Sequence, residues 1–324
     1  MNSAHDLPRS ASPWPSRLTF LAALFALPLV LFGGSVTTIG AGMAVEGWLV
    51  AEGHFLVFFP VDAWFRDVGT FVEHTHRLWG VLVGMACVLS VLCCWRAGRG
   101  LGPALLALGM VLGQGALGGF RVLENSPQLA FLHGVFGQVT LAVLIGVAVV
   151  LSKRWQAAPS GHDVPRRAGW TTLALTLVLV GQIVLGARYR HDLRPVPNDA
   201  AALGLLLHMA GAVAVLVAVI VAAKALKSAG RSLGADGAPL TGSAKRLHAL
   251  FGLQVVLGLL AWAGYRADSV GPLEWGLSIA HVLFGGLFLA QAAVAWLWCG
   301  RLGCGRLARR DAVVGKASVS GGVA

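Results

Sequence analysis

The sequence predicts an all-α integral membrane protein with eight transmembrane helices. Of its 324 residues, 56% are hydrophobic and 12% are charged, and the mean hydropathy is +0.74. A soluble domain with a water-exposed surface is far less apolar than this. The apolar residues are also gathered into eight runs, each close to the about 20 helical residues that cross the hydrocarbon core of a bilayer. The segments between these runs differ in charge, because most Lys and Arg residues lie on one side of the predicted membrane.

Each predicted helix is one of these runs, at residues 18–38, 71–95, 101–120, 128–151, 169–187, 201–226, 246–265 and 274–299. The first run follows Arg17 and is longer than the apolar part of a signal peptide, so it predicts an uncleaved span. The remaining runs alternate between two kinds, one carrying a histidine and one carrying a glutamine. In chain order these residues are His76, Gln114, His133, Gln182, His208, Gln254 and His281.

Basic residues lie mostly on one side of the predicted membrane. If the N-terminus is cytoplasmic, 18 of the 25 Lys and Arg residues fall in inner segments, 6 fall in outer segments, and Arg77 lies within a helix. Inner segments of membrane proteins carry this excess, so both termini are predicted to be cytoplasmic. Basic inner segments that face anionic lipid also explain the net charge of +11 without a nucleic-acid partner.

A short motif indicates that the chain contains an internal repeat. The pattern Gln, two residues, Leu, Gly occurs at 114–118, 182–186 and 254–258, each time on an odd-numbered helix. We therefore expect two four-helix bundles related by pseudo-symmetry. The predicted organisation is a cytoplasmic N-terminal segment (1–17), a first bundle (18–152), a cytoplasmic linker (153–168), a second bundle (169–299) and a cytoplasmic basic tail (300–324).

Each even-numbered helix carries one histidine at the same predicted depth. The four are His76, His133, His208 and His281. At 1.5 Å per residue, each lies roughly 7–12 Å below the outer membrane boundary. Each bundle can then bring two imidazoles together, His76 with His133 and His208 with His281. Two opposed imidazoles suit the axial positions of an iron porphyrin, whereas a zinc site would need further ligands that neither bundle supplies. The alternative is that each histidine is an interhelical hydrogen-bond partner.

One carboxylate distinguishes the first bundle from the second. Glu73 precedes His76 by three residues and so shares its helical face, while the equivalent positions before the other three histidines are occupied by Ala130, Leu205 and Ser278. A carboxylate beside a porphyrin can move a proton or stabilise positive charge. The alternative is that Glu73 forms an interfacial ion pair with Arg77.

His74 lies about 200° around the helix from His76, so the two cannot face one porphyrin. It is expected to be a packing or interfacial residue, or to support a ligand indirectly.

These residues resemble the heme A synthase family, and the resemblance extends over most of residues 18–298. The segments that carry it are Glu73-His-Thr-His76-Arg77-Leu-Trp-Gly80, Gln114-Gly-Ala-Leu-Gly-Gly119-Phe-Arg121-Val, Leu132-His133-Gly134, His208 and Ala280-His281. Each segment is short, but the combination is specific.

The resemblance implies an enzyme that oxidises the C8 methyl group of heme O, through an alcohol, to the formyl group of heme A. It further implies that His76 and His133 are axial ligands of the substrate heme and that His208 and His281 hold a permanent heme B through which electrons pass. It makes Glu73 the catalytic residue. Arg77 and Arg121 are candidates for contacts with heme propionates on the basis of charge and depth.

The same resemblance implies a location in the cytoplasmic (inner) membrane, with the heme sites toward the outer face. A heme O synthase would be the upstream neighbour, an aa3-type oxidase the consumer of the product, and a further partner the electron acceptor.

The sequence departs from the family in its first outer segment. Many members carry a cysteine pair there, and this sequence has none. The segment reads Glu46-Gly47-Trp48 and lacks the Pro-Asp-Trp-Pro run associated with the family. Roles assigned to the outer segment therefore do not transfer.

Two other functions remain open from the residues. A membrane diheme cytochrome of the b type would carry electrons without methyl-group chemistry. A heme-handling or transport protein would bind porphyrin transiently, and it would need neither Glu73 beside a ligand nor a second fixed heme.

Overall fold

The computed structural model of the protein describes residues 13–192, 199–265 and 269–303. Within them, eight long helices are apolar enough to cross a membrane. They are α1 Trp14–Thr38, α2 Val68–Arg96, α3 Leu101–Leu123, α4 Pro127–Val150, α5 Arg166–Asp192, α6 Asp199–Ser232, α7 Ala238–Gly264 and α8 Pro272–Gly303. The chain is thus an all-α, multi-pass membrane protein. The predicted N-terminal segment (1–17) lies outside the described residues up to residue 12, and the predicted tail (300–324) does so from residue 304.

The helices match the eight predicted runs but extend past several of them. α6 ends at Ser232 instead of 226, and α7 begins at Ala238 instead of 246. The added turns carry Lys227 and Lys245. Hydropathy marks only the part of a helix that crosses hydrocarbon, whereas backbone hydrogen bonds and caps decide where the helix ends.

Two N-terminal caps fix the positions of the first histidine pair along their helices. The Asp67 side chain accepts a hydrogen bond from the backbone N–H of Thr70 at 2.8 Å and begins α2. Ser126 accepts one from the N–H of Leu129 at 3.3 Å, just before a proline at the start of α4. Caps of this kind satisfy backbone donors that the helix itself leaves open. They make His76 the ninth residue of α2 and His133 the seventh of α4.

The chain divides into two compact units between Gln156 and Ala157. In the first unit, α1 packs against α2 and α4, and α3 also packs against α2 and α4. In the second unit, α5 packs against α6 and α8, and α7 packs against the same two helices. The two histidine-bearing helices of each unit are therefore diagonal in a ring of four, so residues on their inner faces meet at the bundle centre.

The segment between α1 and α2, residues 39–67, is folded and is called the cap below. It contains a two-stranded hairpin (Val50–Ala51 with His54–Phe55), a 3-10 turn (Leu56–Phe58) and a short helix (Val61–Trp64). Its own small core consists of Val45, Ala51 and Phe59, with Ala63 and Trp64 packed against it.

Candidate heme-binding and catalytic site

His76 and His133 meet across the first unit. Their ring centroids are 6.2 Å apart and the ring planes are inclined by 84°. A bond from a metal to an imidazole nitrogen is about 2 Å long, and that nitrogen lies about 1 Å from its ring centroid, so two imidazoles on opposite sides of one metal ion have centroids about 6 Å apart. The separation therefore fits a metal porphyrin between two axial imidazoles.

His208 and His281 meet in the same way in the second unit, with ring centroids 6.2 Å apart and an interplanar angle of 81°. Nowhere in the described ranges do three or more His, Cys, Asp or Glu side chains converge on a point that could hold a metal ion. Each unit thus offers a donor set of two imidazoles. Two donors suit an iron whose other four ligands are porphyrin nitrogens.

The ring of His76 is oriented by a backbone carbonyl. Its Nδ1 lies 2.9 Å from the Leu29 oxygen on α1. Because a carbonyl can only accept, Nδ1 carries the proton and Nε2 is left with its lone pair. Histidines that bind metals are commonly held by such a bond from the second ring nitrogen.

The three glutamines of the repeated motif contact the other three histidine positions. The Gln114 amide donates to the backbone oxygen of His133 at 3.0 Å. Gln182 donates to the backbone oxygen of His208 at 2.9 Å, and Gln254 to that of His281 at 3.1 Å. The motif glutamines of α3, α5 and α7 thus bind the next helix at its histidine.

Glu73 forms two strong hydrogen bonds through its carboxylate. Oε1 accepts from Nη2 of Arg77 at 2.7 Å, and Oε2 accepts from the backbone N–H of Val45 in the cap at 2.9 Å. The Glu73 side chain is buried, and that of Arg77 is only 9% exposed. Glu73 and Arg77 therefore form the ion pair considered from the sequence. Val45 of the cap adds a backbone hydrogen bond to the same carboxylate.

Arg77 and Arg121, the two candidates for propionate contacts, also bind the cap. Arg77 donates to the carbonyl oxygens of Val45 and Gly47, each at 2.8 Å. Arg121 donates to the carbonyl oxygen of Gly42. Sequence reasoning missed these cap residues because they act through backbone groups, which carry no residue-type signal.

Trp48 of the cap packs against α3. A Cβ atom at Gly119 would collide with the indole ring, so only glycine lets Trp48 lie this close to the helix backbone. The indole also contacts Phe120, with ring centroids 6.5 Å apart. Gly119 belongs to a segment that resembles the family, but the sequence does not indicate that it meets Trp48.

His74 is buried on another side of α2. Its ring packs against Phe59, at 4.6 Å between centroids, and against Trp64, at 5.3 Å. Both partners belong to the cap. The structure thus brings His74 to the aromatic interior of the cap.

An ion pair at the cap surface holds the hairpin to the start of α2. Arg66 binds both carboxylate oxygens of Glu52, at 2.8 and 2.5 Å. This hydrogen-bonded contact lowers the pKa of Glu52 and raises that of Arg66. The bonds from the backbone N–H and hydroxyl of Thr70 lower the pKa of Asp67.

Comparisons with known proteins identify a family for this chain. The sequence model of the family described as Cytochrome oxidase assembly protein, COX15-CtaA, matches residues 16–192. The chain is 41% identical over 88 residues to Heme A synthase COX15 of Bos taurus, covering 25% of this chain and 21% of that protein. It is 29% identical over 223 residues to Heme A synthase of Rhodopseudomonas palustris, covering 58% and 59%, and 26% identical over 201 residues to that of Methylobacterium radiotolerans, covering 52% and 53%.

The chain spans little more than half the length of these bacterial relatives and about a fifth of the bovine one. The family model, however, covers more than half of this chain, from the second residue after the start of α1 through all of α2, α3 and α4. The chain belongs to the COX15-CtaA family of cytochrome oxidase assembly proteins.

Proposed function

We propose that this protein is a heme A synthase, which oxidises the C8 methyl group of heme O to a formyl group through an alcohol. The balanced reaction converts one methyl group and one water into a formyl group, four protons and four electrons. The observation that carries the proposal is the 6.2 Å imidazole pair of the first unit with Glu73 one turn before His76. Family membership supports it.

In this function, His76 and His133 hold the iron of the substrate, heme O. His208 and His281 hold a heme B, which supplies a one-electron acceptor when bound. Each pair has the ring separation that such ligation needs.

Glu73 accepts protons or stabilises positive charge at the methyl carbon as electrons leave. Its bonds to Arg77 and Val45 hold the carboxylate in one place. A guanidinium has five N–H donors. Arg77 uses four of them for Glu73 and for the cap carbonyls of Val45, Gly47 and Trp48, so its Nε–H is the donor proposed for a propionate. Arg121, which donates to Gly42 through Nη2, is the second proposed propionate contact.

The proposal extends to topology and partners. We infer that the two units are copies of one four-helix bundle (18–152 and 169–299, linked by 153–168), because each has the same pairs of packed helices. Both termini lie in the cytoplasm, and the heme sites face the outer side of the cytoplasmic membrane. A heme O synthase supplies the substrate, an unidentified acceptor takes the electrons, and an aa3-type oxidase uses the product.

The test is to identify the porphyrins bound to the purified protein after coexpression with a heme O synthase. The wild type should contain heme B together with heme O, the alcohol or heme A. Glu73→Ala should contain heme B and heme O without the oxidised products. Heme B alone in both proteins would contradict the proposal and indicate a b-type cytochrome, and the absence of any fixed heme B would indicate a transport protein.

A further inference from the structure

All four histidine rings share one packing arrangement that the proposed ligation does not by itself explain. The Cε1 edge of each ring packs against a glycine on the preceding helix. An ideal Cβ would lie 2.7 Å from Cε1 of the ring at Gly33 (His76), Gly118 (His133) and Gly186 (His208), and 3.1 Å from it at Gly258 (His281).

A methyl group at three of these positions could not be accommodated without movement of the ring. Contacts of a Cβ below 3.0 Å essentially never occur, and contacts between 3.0 and 3.4 Å force the neighbour to shift by a few tenths of an ångström. The neighbour here is an imidazole whose nitrogen direction would decide whether it can bind iron. A small rotation of the ring therefore changes ligand geometry, not merely packing.

Neighbouring glycines on the same helices lack this contact. A Cβ at Gly115 on α3, Gly181 on α5 or Gly252 on α7 would meet nothing within 4 Å. Small residues are common in membrane helices for general packing reasons. These three glycines therefore serve as a comparison, because they lie in the same helices but contact no histidine ring. The ring contacts are thus specific to one glycine in each of these helices.

A second contact lies one helical turn before each glycine. In three helices it is the motif glutamine, which donates to the backbone oxygen of the histidine. In α1 the equivalent residue is Leu29, and its carbonyl accepts from Nδ1 of His76. Each histidine is therefore held in two places. The edge of its ring packs against a glycine, and the histidine is hydrogen-bonded to the residue one turn before that glycine.

We propose that Gly33, Gly118, Gly186 and Gly258 are positioning residues that set the direction of the four ligand imidazoles. The proposal rests on the proposed function for the identity of the bound group. The contacts themselves are observed at all four positions, in both units. Replacing one of these glycines should disturb the heme held by that pair and leave the other pair unchanged.

The experiment compares Gly186→Ala with Gly181→Ala in the purified full-length protein, using its optical and electron paramagnetic resonance spectra. Gly181→Ala should retain the low-spin heme B signal of the wild type. Gly186→Ala should lose or shift that signal and bind heme at least about tenfold more weakly, the lower end of the effect of disturbing groups that orient metal ligands. These readouts do not depend on turnover.

Gly258→Ala keeps the test decisive if Gly186→Ala does not fold. Its added methyl group makes the milder 3.1 Å contact. The expected result is a folded protein whose electron paramagnetic resonance signals are shifted from those of the wild type. Gly252→Ala is its control. Wild-type spectra from both Gly186→Ala and Gly258→Ala, in a protein where His208→Ala abolishes the signal, would overturn this proposal and leave the proposed function intact. A wild type without low-spin heme would overturn both.

Discussion

In the proposed function, the two carboxylate oxygens of Glu73 serve the reaction as well as the structure. Its carboxylate is buried against Arg77 and also accepts from Val45 of the cap. Removing one partner of a buried ion pair leaves the other charge uncompensated, which typically costs about 3–5 kcal/mol of stability. A substitution at this position therefore has to be chosen so that loss of the proton acceptor can be separated from loss of the fold.

Glu73→Gln is the substitution closest in shape, and because it too leaves Arg77 without a counter-charge, folding has to be checked separately. The amide keeps an oxygen that can accept from Val45 but cannot take up a proton, so conversion of heme O should fall by roughly 10²–10⁴-fold, the usual contribution of a general acid or base. Product formation per bound heme O is the measurement. The heme B spectrum of the second unit serves as the folding control, and conversion within a few-fold of wild type would exclude a proton-transfer role.

The histidine pairs could be predicted because sequence spacing fixes residues along a helix. His76 and His133 lie within three turns of capped helix ends, so a common depth follows from counting. The partners of Glu73 and Arg121 in the cap could not be predicted in this way. Val45 and Gly42 act through backbone groups, and their positions depend on how the cap folds.

The cap is the element for which sequence reasoning supplied no structure. Its strands are two residues long, too short to produce an alternating pattern. It is stabilised by individual contacts: the small core around Val45, the aromatic contacts of His74, and the ion pair between Arg66 and Glu52. None of these contacts can be predicted from a local sequence pattern, whereas the eight long helices can.

The surface ion pair of the cap should respond to acid. Interaction with Arg66 depresses the pKa of Glu52 below its ordinary value of 4.5, so its contribution is complete above pH 4.5 and is lost as the pH falls through the depressed pKa. Glu52→Gln should therefore speed hydrogen exchange of the cap amides at pH 7. The difference from wild type should shrink as the pH falls below 4.

Hydrogen-exchange mass spectrometry of the cap peptides, corrected for the intrinsic effect of pH, provides this comparison. Both groups are solvent-exposed, so the effect should be small. A difference between the two proteins that persists unchanged into acid would show that the ion pair is not its cause.

For the molecule as a whole, the number of spans and the alternation of histidine and glutamine helices follow from the sequence. The ring of four helices in each unit does not, because hydropathy contains no information on which apolar faces meet. The ring places α2 diagonal to α4 and α6 diagonal to α8. That arrangement is what turns four histidines at one predicted depth into two close pairs.

Orientation in the membrane can be tested with two matched cysteine substitutions. An added Cβ would meet nothing within 4 Å at Gly53 in the cap or at Gly234 between α6 and α7, and both glycines have positive φ angles, so the two substitutions introduce the same kind of backbone strain. If the N-terminus is cytoplasmic, a membrane-impermeant maleimide added to spheroplasts should label Gly53→Cys and not Gly234→Cys. The reverse pattern would invert the topology and place the heme sites at the inner face.

The existence of two imidazole-bound hemes is tested by replacing the four histidines one at a time and recording the low-spin heme spectrum together with the bound porphyrins. His208→Ala and His281→Ala should each abolish the low-spin heme B signal. His76→Ala and His133→Ala should retain that signal while heme O conversion is lost. A heme B signal that survives both substitutions in the second unit would contradict the assignment of the histidine pairs as ligands.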